Sequence, residues 1–323
     1  MRVQDSKMKN FRVQLFNSFT KLSLFGLLFL FHSSMDVNAQ DGELKMKYFG
    51  TAGWEIQDGN ITVLIDPYLS RIKLGDSPSI SPDDNRRGFK REDIYESDTE
   101  LIDTLIGHAD FILVHHSHFD HIADVPYIAK KTGAKVIATE TGCNMLRGYG
   151  IPDEQLYAVQ GGEDYQFENF SVRVLPGIHS ALANKHYHDS RRYTEPPKVP
   201  LKVSEFIEGG SLMFLARFKN HNVLTMGSMN FIERELHRVE ADILLAGVNL
   251  SQRGIFNYTP RLLHVTNYPK IIIPIHWDNF RVPYGFNQDR GIAKIDPFIE
   301  DVKEISPTTK IIIPTHLETI TIK

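Results

Sequence analysis

The sequence predicts an α/β fold. Two patterns carry that expectation: short runs of Ile, Val, Leu and Phe recur between residues 44 and 313, and stretches with helical spacing and capping residues separate them. Length and composition agree. The chain has 323 residues, 41% of them hydrophobic and 24% charged, enough to bury a sizeable core. Beyond residue 39 no stretch is rich enough in Pro, Gly or Ser to divide the chain, so one domain over 40–323 is expected.

The elements follow in order. Leu44–Phe49 and Ile61–Ile65 read as strands, with Asp58-Gly59-Asn60 as the turn between them. Asp98–Ile106 reads as a helix with Asp98 at its N-cap. The apolar run Phe111–Val114 reads as a buried strand. Ile122–Lys131 is expected to be helical and to end near Gly133. Lys135–Ala138, Ser171–Leu175, Leu212–Phe218 and Asn222–Thr225 read as strands. Phe231–Val239 is expected as a helix and Asp242–Leu245 as a strand. Asp296-Pro297 pairs a capping residue with a favoured first helical residue, opening a helix to about Glu304. Two stretches lack periodicity and read as insertions. Arg71–Ser97 is charged and expected to be a solvated loop. Ala181–Ser204 carries His186 and His188, and is balanced between a solvated loop and a lid over a site.

The first 39 residues differ from the rest. Arg2, Lys7, Lys9, Arg12 and Lys21 precede the apolar run Leu22–Phe31, and a small residue, Ala39, closes the segment. These are the parts of a cleaved secretory signal. The run is short of the roughly 20 apolar residues a spanning helix needs. A periplasmic or secreted protein is expected, touching the membrane only through this segment. Removing its five Lys/Arg and two Asp takes the formal net charge from −4 to −7. Such an acidic protein is a poor nucleic-acid binder. Cys143 is the only cysteine, so no internal disulfide can form, and a buried thiol is the expected state.

The chemistry concentrates in His116-Ser117-His118-Phe119-Asp120-His121. Four potential metal ligands fall within six residues, directly after the Phe111 strand. Of 14 histidines, four lie between 115 and 121, which chance explains poorly. Imidazole and carboxylate suit zinc and its neighbours in the first transition row. His179 and His276 repeat the pattern, each at the tip of an apolar strand, and are expected as further ligands. His115 alternates to the opposite face from His116, so a core or supporting role is expected. His316 lies in an echo of the His276 segment and is not expected to bind a metal.

The order His116-x-His118-x-Asp120-His121, then His179, then His276 resembles the metallo-β-lactamase superfamily. Tyr48–Trp54 followed by Val63–Tyr68, and the segment Pro274-x-His276-Trp277-Asp278-Asn279-Phe280, are similar to its broad hydrolase branch. That branch includes ascorbate-6-phosphate lactonases and the phospholipase D acting on N-acylphosphatidylethanolamines. The resemblance covers about residues 44–320. It implies a four-layer αββα sandwich with metals at the edge between two sheets. It implies that His116, His118 and His179 hold one ion, and that Asp120, His121 and His276 face a second. Asp66 is implied to support the ligand loops rather than to bind metal. One or two Zn2+ ions are implied, with Mn2+ or Fe2+ as alternatives.

The implied activity is metal-assisted hydrolysis of an ester, lactone, amide or phosphodiester from a small-molecule, lipid or envelope source. A bound divalent ion lowers the pKa of water to about 7, so a metal-bound hydroxide attacks. Asp120 is implied to orient it, and His186 or His188 could serve as general acid. One departure stands out. The family places a metal-bridging Asp after a Gly behind a strand, and here Ser228 follows Gly227. A hydroxyl is a weaker ligand than a carboxylate. Three outcomes stay open: a weak second ion, a single sufficient ion, or a metal-binding protein without turnover. A redox role is the remote alternative, since related sites can hold iron.

Overall fold

Alternating burial along the start of the first strand opens the interior. In Leu44–Gly50, Leu44, Met46 and Tyr48 are buried while Lys45 is exposed, as a half-covered strand requires. The computed structural model describes residues 42–75, 83–181 and 189–323. The expected signal segment 1–39 and both His186 and His188 lie outside the described residues.

Among the described residues two seven-stranded mixed sheets form. The first runs Thr319–Ile322, Leu44–Gly50, Gly53–Asp58, Ile61–Ile65, Phe111–Leu113, Lys135–Thr139, Leu156–Val159. Its first three neighbour pairs are antiparallel and its last three parallel. The second runs Lys310–Ile311, Ile271–Ile275, Ile243–Gly247, Asn222–Met226, Leu212–Arg217, Ser171–Pro176, Asp164–Gln166. It mirrors the first, with three parallel pairs and then three antiparallel ones.

The sheets face each other across one apolar cluster, with Met46, Trp54, Val63 and Leu113 from the first meeting Val172, Phe214, Leu224 and Leu244 from the second. A second cluster packs Leu64, Ile112 and Val136 against Ile102, Ile128 and Leu146 of the helices Thr99–Leu105, Val125–Thr132 and Glu140–Gly148. The helices Tyr258–Val265 and Asp289–Ile305 pack on the other sheet. The layers are helix, sheet, sheet, helix, the αββα sandwich that the resemblance implies.

Several local expectations are corrected. Between the first two expected strands lies a third, Gly53–Asp58, and the Asp58-Gly59-Asn60 turn joins it to Ile61–Ile65. Its pairing on both sides buries Trp54 and Ile56. The expected helix from Ile122 splits into Phe119–Ile122 and Val125–Thr132, because Asp124 turns its carboxylate to the backbone N–H groups of Leu69 and Ser70 instead of capping. Gly133 does end it, at φ 71°. Only Glu233–Leu236 of the expected Phe231–Val239 helix is α-helical.

Asp296 is not an N-cap. The helix starts at Asp289 and carries Pro297 in its interior. Gly291, Ile295, Phe298 and Val302 share one buried face, and burying that face outweighs the hydrogen bond Pro removes. Arg71–Ser97 is not wholly a solvated loop. Arg71 is buried, and Lys73–Leu74 pairs with Gly88–Phe89.

Candidate metal centre

Parallel strands end together, so residues that follow them gather at one edge. His116–His121 follow Phe111–Leu113, Asp66 follows Ile61–Ile65, Ser228 follows Asn222–Met226, and His276 follows Ile271–Ile275. His179 follows Ser171–Pro176 of the second sheet. Beside the group of Asp66, His115 and His121, in which both imidazoles bond Asp66, two further donor groups form there among the described residues. His116, His118 and His179 each offer one ligand atom, all within 4.8 Å of one another, and so do Asp120, His121 and His276. Each trio draws on both sheets.

The atoms suit a divalent ion. His116 Nε2 lies 3.0 Å from His118 Nδ1, near the roughly 3.3 Å that two nitrogens of a tetrahedral zinc site keep. His179 Nδ1 donates to the Ser180 carbonyl at 3.0 Å, which leaves the lone pair on Nε2. Asp120 Oδ2 is 3.9 Å from His121 Nε2 and 3.7 Å from His276 Nε2. His121 Nε2 is buried with no hydrogen-bond partner. Its other nitrogen, Nδ1, donates to Asp66 Oδ2. This unpartnered nitrogen faces Asp120 and His276, as a ligand's would.

Protonation agrees with that arrangement. Burial pushes His179 down to about 4. Burial and the neighbouring imidazoles push His116 well below its ordinary value. Burial works against ionising Asp120, yet His121 and His276 outweigh it and hold its carboxyl below the usual range. His116, His179 and His276, all lowered by burial, thus offer imidazole lone pairs beside the Asp120 carboxylate. At His121 burial is outweighed by Asp66 and Asp120, which raise it, so an ion there displaces a proton.

Three buried carboxylates stand behind the donors. Asp66, at φ 39°, accepts from the His115 N–H at 2.9 Å and from His115 Nδ1 at 2.6 Å, besides His121. His115 also reaches the Thr225 carbonyl through Nε2 at 3.2 Å, so both its ring nitrogens are engaged in support. Asp124 accepts from Leu69 N, Ser70 N, Ser70 Oγ and Tyr95 OH. Asp278 accepts from the Thr51 N–H at 2.8 Å and Arg71 Nη2 at 2.8 Å, and meets His316 Nε2 at 3.0 Å. His276 itself holds φ 64°, with its N–H on the Thr51 carbonyl and its carbonyl accepting from Asn249 Nδ2. Sequence reasoning assigned no role to Asp124, Asp278, Arg71 or Asn249. The one signal for Asp278 was its position two residues beyond His276.

Ser228 sits beside the donors, 5% exposed, and its Oγ accepts the Ser180 N–H at 3.0 Å. The hydroxyl thus ties down the loop that carries His179. Gly227 packs so closely that a Cβ there would lie 2.1 Å from the His115 Cβ, so no larger residue fits without shifting His115. All six candidate ligands and Ser228 line one cavity of about 600 Å³.

The model of the Beta-lactamase superfamily domain matches residues 45–276, more than half of the chain. The chain belongs to the metallo-β-lactamase superfamily. Curated relatives in Staphylococcus aureus strains JH9 and N315, named metal-dependent hydrolases, are 24% identical over 265 residues, spanning 82% of this chain and 97% of theirs. Among solved members of the fold, Igni18, a metallo hydrolase of the archaeon Ignicoccus hospitalis, superposes with a TM-score of 0.55 at 15% identity over 87% of this chain and 99% of that one. An isothiocyanate hydrolase from Delia radicum gut bacteria gives 0.54 at 16% identity, over 85% of this chain and 98% of that one. At such identities the two structures bear on the fold.

Proposed function

We propose that this metal-dependent hydrolase of the metallo-β-lactamase superfamily is exported and cleaves an ester, lactone, amide or phosphodiester bond at the 116–121 centre. We assign His116, His118 and His179 to one ion and Asp120, His121 and His276 to a second. The observation that carries the reading is the buried, unpartnered His121 Nε2 held toward Asp120 and His276 by Asp66. A nitrogen-rich donor set favours zinc over manganese or ferrous iron.

A bound divalent ion would supply an acidified water and a positive charge for the oxygen that gains electrons in the transition state. The chain's own residues do the rest. Asp120 stays ionised and is placed to orient the attacking water and accept its proton. Asp66 keeps Nδ1 of His121 protonated, which fixes the tautomer. Phe119, Phe206 and Phe280 line the cavity and limit water at the reacting bond. The leaving group needs a proton, and His186 or His188 is our candidate donor.

Ser228 favours a second reading, a metal-binding protein without turnover. Metal content of the chain beginning at residue 40, with its Ser228→Asp variant, tests both. Two equivalents of zinc in the wild type would remove the concern over Ser228. One equivalent, rising toward two in the variant, would mark a weakened second site. No bound metal under zinc-replete conditions would overturn the hydrolase reading. A panel of phosphodiesters, lactones and acyl amides then separates enzyme from binder. N-terminal sequencing of the protein from cell fractions tests export, with a start near residue 40 expected.

A further inference from the structure

The wall of the metal cavity holds more positive charge than its own acids answer. Three arginines line it: Arg91, Arg191 and Arg281. Arg191 is matched by Asp189, which accepts from its Nε at 3.0 Å and its Nη2 at 2.7 Å. Among the described residues neither Arg91 nor Arg281 has a carboxylate partner.

Arg281 is packed in place, while Arg91 is exposed on the same cavity wall. Arg281 is half-buried, and its guanidinium lies 5.9 Å from the Phe280 ring centroid. That ring stands edge-on to His276 at 6.0 Å between centroids. Arg281 is therefore one aromatic ring away from the second donor trio. Arg91 follows the short strand Gly88–Phe89 and accepts the Ser204 N–H on its carbonyl, on the wall formed with Val203 and Phe206. Arg86 joins the two stretches, donating to the carbonyls of Arg71 and Arg281 while paired with Asp84. The remaining wall is mixed, with Phe119, Phe206 and Phe280 apolar and Ser204, Asn249 and Ser251 polar. Unanswered guanidinium groups beside apolar surface recognise a carboxylate or phosphate on an apolar body.

We infer that Arg91 and Arg281 form an anion subsite, so that the substrate carries a carboxylate or phosphate on a partly apolar frame, apart from the bond that is cleaved. This rests on the hydrolase reading for the cleaved bond, but not for the binding of the anion. The anion sets affinity, while the donor trios face the reacting centre.

Two measurements test it on the zinc-loaded chain beginning at residue 40. In the first, p-nitrophenyl hexanoate is compared with p-nitrophenyl esters of the same length ending in a carboxylate or in a phosphate. A preference of about tenfold or more in kcat/KM for one charged ester, expressed in KM, is expected. The Arg91→Gln/Arg281→Gln double variant should erase most of that ratio, and the better of the two charged esters identifies the anion. In the second, octanoate, octyl phosphate and octanol are titrated calorimetrically. Kd for the preferred anion should rise about tenfold or more in the double variant. If no ester is cleaved but anion binding depends on the arginines, ester hydrolysis falls and the subsite stands. Anion binding equal in wild type and double variant, or a charge preference that survives the double substitution, would overturn the subsite.

Discussion

Arg71 Nη2 lies 2.8 Å from Asp278 Oδ2, and both side chains are withdrawn from water. The pair locks the loop after His276 to the first insertion. Arg71 also donates to the carbonyls of Val282 and Asn279. Removing one partner strands a buried charge. Asp278→Ala is expected to cost about 3–5 kcal/mol of stability, and Arg71→Met a similar amount. The double variant should cost clearly less than the two together, because it leaves no unpaired charge, although the Thr51 N–H and the Val282 and Asn279 carbonyls lose their partners. Urea unfolding of the three variants measures this, and strict additivity would refute the coupling.

Asp66 answers two imidazoles at once. Asp66→Asn keeps the volume but loses the second acceptor oxygen and the negative charge that fixes the His121 tautomer. Ion affinity at the second trio is expected to fall about 10–100-fold, with the far-UV spectrum unchanged. Equilibrium dialysis against zinc measures it, and an unaltered affinity would show that Asp66 is not needed for the site.

The buried histidines set the acid sensitivity of the metal-free protein. An ordinary histidine titrates near about 6.5, and burial holds His179 at about 4. Burial also lowers His116 and His276. Between those values the unfolded chain binds protons that the folded chain refuses, so stability rises with pH. His121 opposes them. Burial lowers it, but Asp66 and Asp120 outweigh burial and raise it, so its contribution is full at low pH and is lost as pH rises through its folded value. Three groups act against one. The urea midpoint of the metal-free protein is expected to climb from about pH 4.5 to about pH 6.5. A midpoint that stays level or falls over that range would contradict the assignment.

The convergence of the candidate ligands was legible in the sequence because metal chemistry restricts residue type and strand tips restrict position. His116, His118, Asp120, His121, His179 and His276 converge for that reason. The supports were not legible in the same way. Arg71 and Asp278 are separated by 207 positions, and Arg71 opens a charged stretch that reads locally as solvated. Asp124 looked like part of a helix, yet its carboxylate serves a loop 55 positions earlier. The Asp296-Pro297 error has a similar cause. Capping rules are local, whereas the apolar face through Gly291, Ile295, Phe298 and Val302 is settled by packing on the sheet.

Because each trio takes donors from both sheets, neither exists until the two halves of the sandwich have docked. The unfolded chain offers histidines, but not this geometry. Ion capture should therefore be a late event in refolding, and an ion added early should not speed it. Trp54 and Trp277 are both buried, so their fluorescence reports docking while a zinc-sensitive dye reports capture. In stopped-flow refolding the dye signal is expected to lag the tryptophan signal. In the cell, the same dependence would make metal loading a marker of completed folding, reached only by molecules whose sheets are already in place.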